Sequence, residues 1–180
     1  MNTYICILRG INVSGHRIIK MDALRNLFQK LLFQDIQTYI QSGNVIFKSD
    51  QQNKKQLEES IQSKILEVFG FEVSVLVKSI EDLTTVFDNN PFIISGSEDV
   101  SKLHVTFLSN KPNEINIESL SEVNFGSDKY KIINDVVYIF CPENGYGKSK
   151  LSNQLIESKL KVNATTRNWK TITQLLDLVK

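Results

Sequence analysis

The order of apolar and polar positions divides the first half of the chain into six elements. Thr3 to Leu8 is apolar on both faces apart from Thr3, the pattern of a strand in the middle of a sheet. It breaks at Arg9-Gly10 into a loop that carries a second glycine, Gly15. Leu24, Leu27, Phe28 and Leu31 then recur at helical spacing, with Asp22 as the expected N-cap. Ile36, Thr38 and Ile40 alternate with Gln37, Tyr39 and Gln41, which predicts a half-exposed edge strand. Ser42-Gly43-Asn44 reads as a tight hairpin turn with positive φ at Gly43 and Asn44, and Val45-Ile46-Phe47 runs back. From Gln51 to Phe69 a second helix places Leu57, Ile61, Ile65 and Val68 on one face, and Gly70 ends it. Val73, Val75 and Val77 form a fourth, alternating strand.

The order β-α-β-β-α-β is the split βαβ unit of ferredoxin-like domains. In that topology strands one and three are central and strands two and four lie at the edges. Here the first pair is continuously apolar and the second pair alternates, so burial and order agree.

Ser79 and Asp82 predict a capping-box-like start to a third helix, which Asn89-Asn90-Pro91 stops. Residues 94–101, rich in Ser, Gly and acid, form the best linker. Strand Leu103–Leu108, a Pro-started helix near 112–122, strands Lys129–Ile133 and Val136–Cys141, and a helix from about Ser149 to Leu160 follow. In place of a clear final strand, a last helix gathers Trp169, Ile172, Leu175, Leu176 and Val179 on one face, with Thr165 or Thr166 as its cap. The expected class is therefore α+β. It comprises two ferredoxin-like subdomains, 1–93 and 94–180, with antiparallel sheets, helices packed on one face and an extra C-terminal helix.

Five stretches carry a family resemblance: LRGINVSG, KMDALRNLF, TYIQSGNVIF, GYGKSKLSN and ATTRNWKTITQL. In this order they resemble the bacterial domain of unknown function 1697, over essentially the whole chain. The resemblance implies a small cytoplasmic protein of two ferredoxin-like subdomains and no established activity. Two positions depart from the usual pattern: Ser14 stands where a second Gly is common, and Lys148 where Arg is frequent.

Composition adds limits. The 180 residues are 41% apolar and 23% charged, ordinary for a globular chain. The longest apolar runs are too short to span a bilayer, and Met1-Asn2-Thr3 leads straight into a strand, without the charged n-region of a secretory signal. Two distant cysteines, Cys6 and Cys141, argue against a disulfide framework and for a reducing, cytoplasmic setting. The net charge of +1 conceals an acidic middle (4 basic and 11 acidic groups over 81–143) and a basic end (7 and 2 over 144–180). Nonspecific nucleic-acid binding is disfavoured by so small a total.

No complete catalytic signature is present. Gly147-Lys148-Ser149 matches the end of a P-loop, but the first glycine of that motif falls on Pro142, which lacks the N–H the phosphate cradle uses. Basic residues cluster at three expected helix starts: Arg17 and Lys20, Lys148 and Lys150, and Arg167 and Lys170. Cations there are unfavourable by roughly 0.3–1 kcal/mol each unless an anion is held; the alternative is solvated surface. The loop from Arg9 to Gly15 reads either as a ligand loop anchored by Arg9 or as a structural crossover. His16 and His104 show no metal-ligand spacing with the cysteines, so no metal is expected, and no cofactor is implied. Cys141 beside Pro142 reads as a buried strand cysteine rather than a nucleophile. The central strand SGNVIFKS lacks the aromatics an RNA-recognition face requires.

These features lead to one principal expectation. The chain binds a small anionic ligand, as a binder or an enzyme, between its subdomains through Arg9, Asn12, Gly15, Lys148, Ser149 and Arg167. The alternatives are a protein-interaction module and a weak nucleic-acid binder; no membrane partner is expected, and the oligomeric state is open.

Overall fold

The computed structural model describes residues 1–94, 96 and 99–179, which fall into two compact units. The first comprises Met1–Thr84 together with the residues from Leu175 on, and the second Thr85–Gln174. Of the stretch 94–101, expected to be a linker, Ser95, Ser97 and Glu98 lie outside the described residues. Both units have the split βαβ plan, so the chain is α+β with two four-stranded antiparallel sheets.

In the first unit the order is β1 (Asn2–Leu8), α1 (Met21–Lys30), β2 (Gln34–Tyr39), β3 (Asn44–Ser49), α2 (Lys54–Phe69) and β4 (Val75–Ser79). The sheet order is β2-β3-β1-β4, with the two continuously apolar strands in the centre. Tyr4, Cys6 and Leu8 of β1 meet Leu24, Leu27 and Phe28 of α1 and Leu57, Ile61 and Ile65 of α2 in one core. Ile5 and Ile7, on the other face of β1, are buried as well.

Several local expectations change. Lys20, not Asp22, occupies the N-cap of α1 and makes no side-chain cap bond, while Asp22 sits in the first turn and pairs with Arg25. The helix α2 starts later, behind Asn53, whose side chain accepts from Lys55 and Gln56 N–H, and ends at the left-handed Gly70. Val68 is 42% exposed; the strict i+4 row from Leu57 continues instead to Phe69, which packs on the core. In the turn before β3 the positive-φ residues are Ile40 (+50°) and Gly43 (+81°). Asn44 belongs to β3, and its side-chain amide donates to Tyr39 O (3.2 Å) and Ser42 Oγ (2.9 Å).

The helix α3 (Ile80–Asp88) begins with the reciprocal box expected of Ser79 and Asp82. Ser79 N–H donates to Asp82 Oδ2 at 2.9 Å, and Asp82 N–H to Ser79 Oγ at 3.2 Å. A short helix, α4 (Pro91–Ile94), follows the Asn-Asn-Pro stop.

The second unit contains β5 (Leu103–Leu108), α5 (Glu114–Ser121), β6 (Lys129–Ile133), β7 (Val136–Phe140), α6 (Asn153–Leu160) and β8 (Ala164–Asn168), with sheet order β6-β7-β5-β8. Here β8 is the final strand that the apolar pattern does not reveal. Its sequence ATTRN has one apolar residue, and β-branched threonines pairing with β5 supply the strand instead. The last helix, α7 (Trp169–Val179), is capped by Asn168, whose Oδ1 accepts from Thr171 N–H at 2.8 Å, rather than by Thr165 or Thr166. Leu108, Val137, Ile139 and Ala164 pack with Ile156 and Leu160 of α6 on one face. On the opposite face Tyr138 donates to Val86 O at 3.0 Å, and Phe87 stacks on Trp169.

Candidate functional site

Where β1 leaves the sheet, the chain turns through a segment with five positive φ values: Gly10 (+66°), Asn12 (+55°), Ser14 (+50°), Gly15 (+78°) and Arg17 (+49°). The shape follows from two anchors and one turn. Ile11 and Ile19 are buried in the first core and fix the two ends. Between them Val13-Ser14-Gly15-His16 closes a turn with a His16 N–H to Val13 O bond of 2.9 Å. Positive φ at both central residues makes it a type I′ turn, so residues 12–17 form a miniature hairpin. Asn12 N–H bonds Arg17 O at 3.2 Å and closes its base.

The Asn12 side chain holds this hairpin to the body. Its amide donates to Ile19 O and to Gln41 O, each at 2.9 Å, and its Oδ1 accepts from Ile19 N–H at 2.8 Å. Both amide protons are thus satisfied within the fold, which makes Asn12 a staple for the loop. Gly15 is exposed at the hairpin tip. Arg9 is half-buried, with its N–H on Ser74 O at 3.0 Å.

The surface of the hairpin is basic. Arg9, His16, Arg17 and Lys20 fall within twelve residues that contain no acid. His16, Arg17 and Lys20 are exposed. The Arg17 guanidinium lies across the Gly10 backbone: Nη1 would be 3.6 Å from a Cβ at Gly10. Among the described residues Arg17 forms no ion pair.

The other three expected site residues belong to the second unit. Lys148 ends a single 3₁₀ turn, Tyr146–Lys148, and Ser149 follows it in extended conformation. The helix α6 begins at Asn153 behind a Ser152 cap, so Lys148 and Lys150 do not stand at a helix start. The Ser149 hydroxyl accepts from Leu151 N–H at 3.0 Å and holds this stretch in a local turn that delays the helix. Arg167 is in β8, not at the start of α7, and is 8% exposed. It pairs with Val105, whereas its neighbour Thr166 pairs with Thr106 and reaches Tyr146. Strand alternation therefore sets Arg167 on the sheet face opposite Tyr146. Of the six cationic positions expected at helix starts, Lys20 holds the N-cap of α1 and Lys170 lies in the first turn of α7, so the dipole argument reaches those two and not Arg17, Lys148, Lys150 or Arg167.

Sequence reasoning missed a polar network in this unit. The Thr166 hydroxyl donates to Asn153 Oδ1 (2.6 Å) and accepts from Tyr146 OH (3.0 Å). Its single proton being committed, the 2.6 Å contact with Thr106 Oγ1 is donated by Thr106. The ring of His104 stacks on Tyr146 at 4.6 Å, and its buried Nδ1 has no hydrogen-bond partner. Burial pushes the His104 pKa down, opposed in part by the Lys102 backbone. The network ties the loop after β7 to the sheet. Nearby Cys141 is buried, and burial raises its thiol to about 11 despite a bond from Ser149. At neutral pH it is a protonated packing group. Among the described residues no group of three His, Cys, Asp or Glu side chains could hold a metal.

Two comparisons bear on this geometry. The model of a family described as a protein of unknown function, DUF1697, matches residues 1–138. A conserved bacterial protein from Streptococcus pneumoniae has the same fold, with 24% identity over 99% of both chains and a TM-score of 0.78. No curated protein matches the chain. Among the described residues no helix is long and apolar enough to cross a membrane.

Proposed function

The chain belongs to the DUF1697 family, and we propose that it binds a small anion, a phosphate or carboxylate, at the basic hairpin Asn12–Arg17. The observation that carries this reading is the Arg17 guanidinium, exposed, without an ion pair among the described residues, and set against Gly10. An arginine fork matches the two oxygens of a carboxylate or phosphate. Gly10 leaves the approach to the backbone free of a side chain. Left-handed non-glycine residues such as Asn12, Ser14 and Arg17 persist only where the surroundings impose them, and they concentrate at ligand clamps. Lys20 adds positive charge on the same segment.

The test is a titration of the purified chain with inorganic phosphate, followed by the backbone amide resonances. The amides of residues 10–17 shift on binding, and Arg17→Ala weakens the affinity about tenfold, the worth of one charge-assisted hydrogen-bonded contact. Equal affinity in Arg17→Ala, or shifts confined to other residues, would overturn the assignment.

A further inference from the structure

Next to the basic hairpin lies a group of apolar side chains that the fold does not use. Val13, Ile18 and Ile40 are 57%, 57% and 48% exposed. Single exposed hydrophobes are ordinary, but each of these three flanks a residue of the Asn12 staple. The Asn12 side chain joins Asn12, Ile19 and Gln41 through bonds of 2.8–2.9 Å. Val13, Ile18 and Ile40 are the residues immediately adjacent in sequence to those three. The staple that holds the hairpin therefore also brings three exposed apolar positions onto the segments it joins.

Ile40 is the most telling of them. It has a φ of +50°, a conformation that a β-branched side chain rarely adopts. Half exposed, it does not recover that strain by burial. Asn, Asp or Gly would relieve it. A strained, exposed isoleucine next in sequence to Gln41, which Asn12 of the hairpin binds, has a use as a contact surface for a bound molecule.

Resting on the anion reading above, we propose that the ligand is an organic anion with an apolar or aromatic body. Its phosphate or carboxylate meets Arg17, and its body lies on Ile40, Val13 and Ile18. The arrangement matches the usual division of a small-molecule site, in which a few polar groups fix orientation and apolar side chains supply contact area.

The experiment compares inorganic phosphate with phenyl phosphate, which presents the same head group on an apolar ring. Phenyl phosphate binds about tenfold tighter through the added apolar contact, and it shifts the methyl resonances of Val13, Ile18 and Ile40. In Ile40→Asn the melting temperature rises, phosphate affinity is unchanged, and phenyl phosphate loses its advantage. Val13→Ser, at a position without strain, reduces the same advantage and serves as a second variant.

Equal affinity for the two probes would overturn the inference while leaving the anion site in place. So would an undiminished preference in both variants. Vesicles containing phosphatidylglycerol that bind the chain, with phenyl phosphate no tighter than phosphate, would identify a lipid surface as the occupant and overturn it too. If phosphate leaves the amides of residues 10–17 unmoved, the anion site itself fails and this inference with it.

Discussion

Gly43 lies so close to Leu8 that an added Cβ would sit 2.7 Å from the Leu8 Cβ, and 2.9 Å from Ile11 Cδ1. The same two residues are joined by a Leu8 N–H to Gly43 O bond of 2.8 Å. The turn before β3 is thereby pressed onto the end of β1, where the hairpin begins. Gly43→Ala meets both a φ of +81° and a buried strand that cannot move away. It should destabilise by more than about 2 kcal/mol, measured by urea unfolding. A loss under about 0.5 kcal/mol would mean that the contact relaxes freely.

Asn12 separates two kinds of substitution. Alanine removes three hydrogen bonds and should cost about 1–3 kcal/mol. Aspartate keeps the size but turns a carboxylate toward the Ile19 and Gln41 carbonyls, which the amide now satisfies. Asn12→Asp should therefore be at least as destabilising as Asn12→Ala at neutral pH. A near-neutral aspartate variant in denaturant titration would show that the amide protons are not what holds the hairpin.

Within the second unit, Thr166→Val strips three groups of a partner at once, whereas Tyr146→Phe leaves Thr166 bonded to Thr106 and Asn153. The expected losses are about 2–3 kcal/mol for the first and about 1 kcal/mol for the second. Reversal of that order in chemical denaturation would show that Tyr146, not Thr166, is the centre of the network.

His104 gives the second unit a pH dependence. Burial disfavours its charged form, outweighing the Lys102 backbone, so its folded pKa lies below the ordinary 6.5. As the pH falls, the unfolded chain takes up the proton first. The stability contributed by the neutral ring is complete above the unfolded value and is lost as the pH falls through the folded one. Comparing the chain with His104→Gln from about pH 7.5 to 5 should show the gap in stability changing with pH. A constant gap would remove His104 as the titrating group.

What could be read in advance depended on how each element earns its stability. The first sheet was legible where strands are built from apolar side chains: β1 and β3 as continuous runs, and β2 and β4 by their Ile and Val positions, although Val75, Leu76 and Val77 of β4 are all buried rather than alternating. The strand β8 was not, because Thr165, Thr166 and Arg167 hold it through backbone pairing with β5, and Thr166 through side-chain bonds, which leave no hydrophobic trace. The cap of α1 was misplaced because Lys20 makes no side-chain bond there at all. In the candidate site, the glycines marked the loop at 10–15, but its partner Gln41 stands 29 residues away. Bonds of that range carry no local pattern. Ile40 was read as one more residue of an alternating strand, and only its backbone conformation sets it apart.

The pairing of Thr106 with Thr166 spans sixty residues. During synthesis β5, with the sequence LHVTFL, leaves the ribosome well before β7 and longer still before β8. For that interval an apolar strand has two open edges, a form prone to pairing with other chains. At roughly 5–20 residues per second the wait is several seconds. Protection over those seconds, by chaperones or by fast collapse of β5 onto whatever has already emerged, is thus a requirement that the order of the strands imposes on the cell.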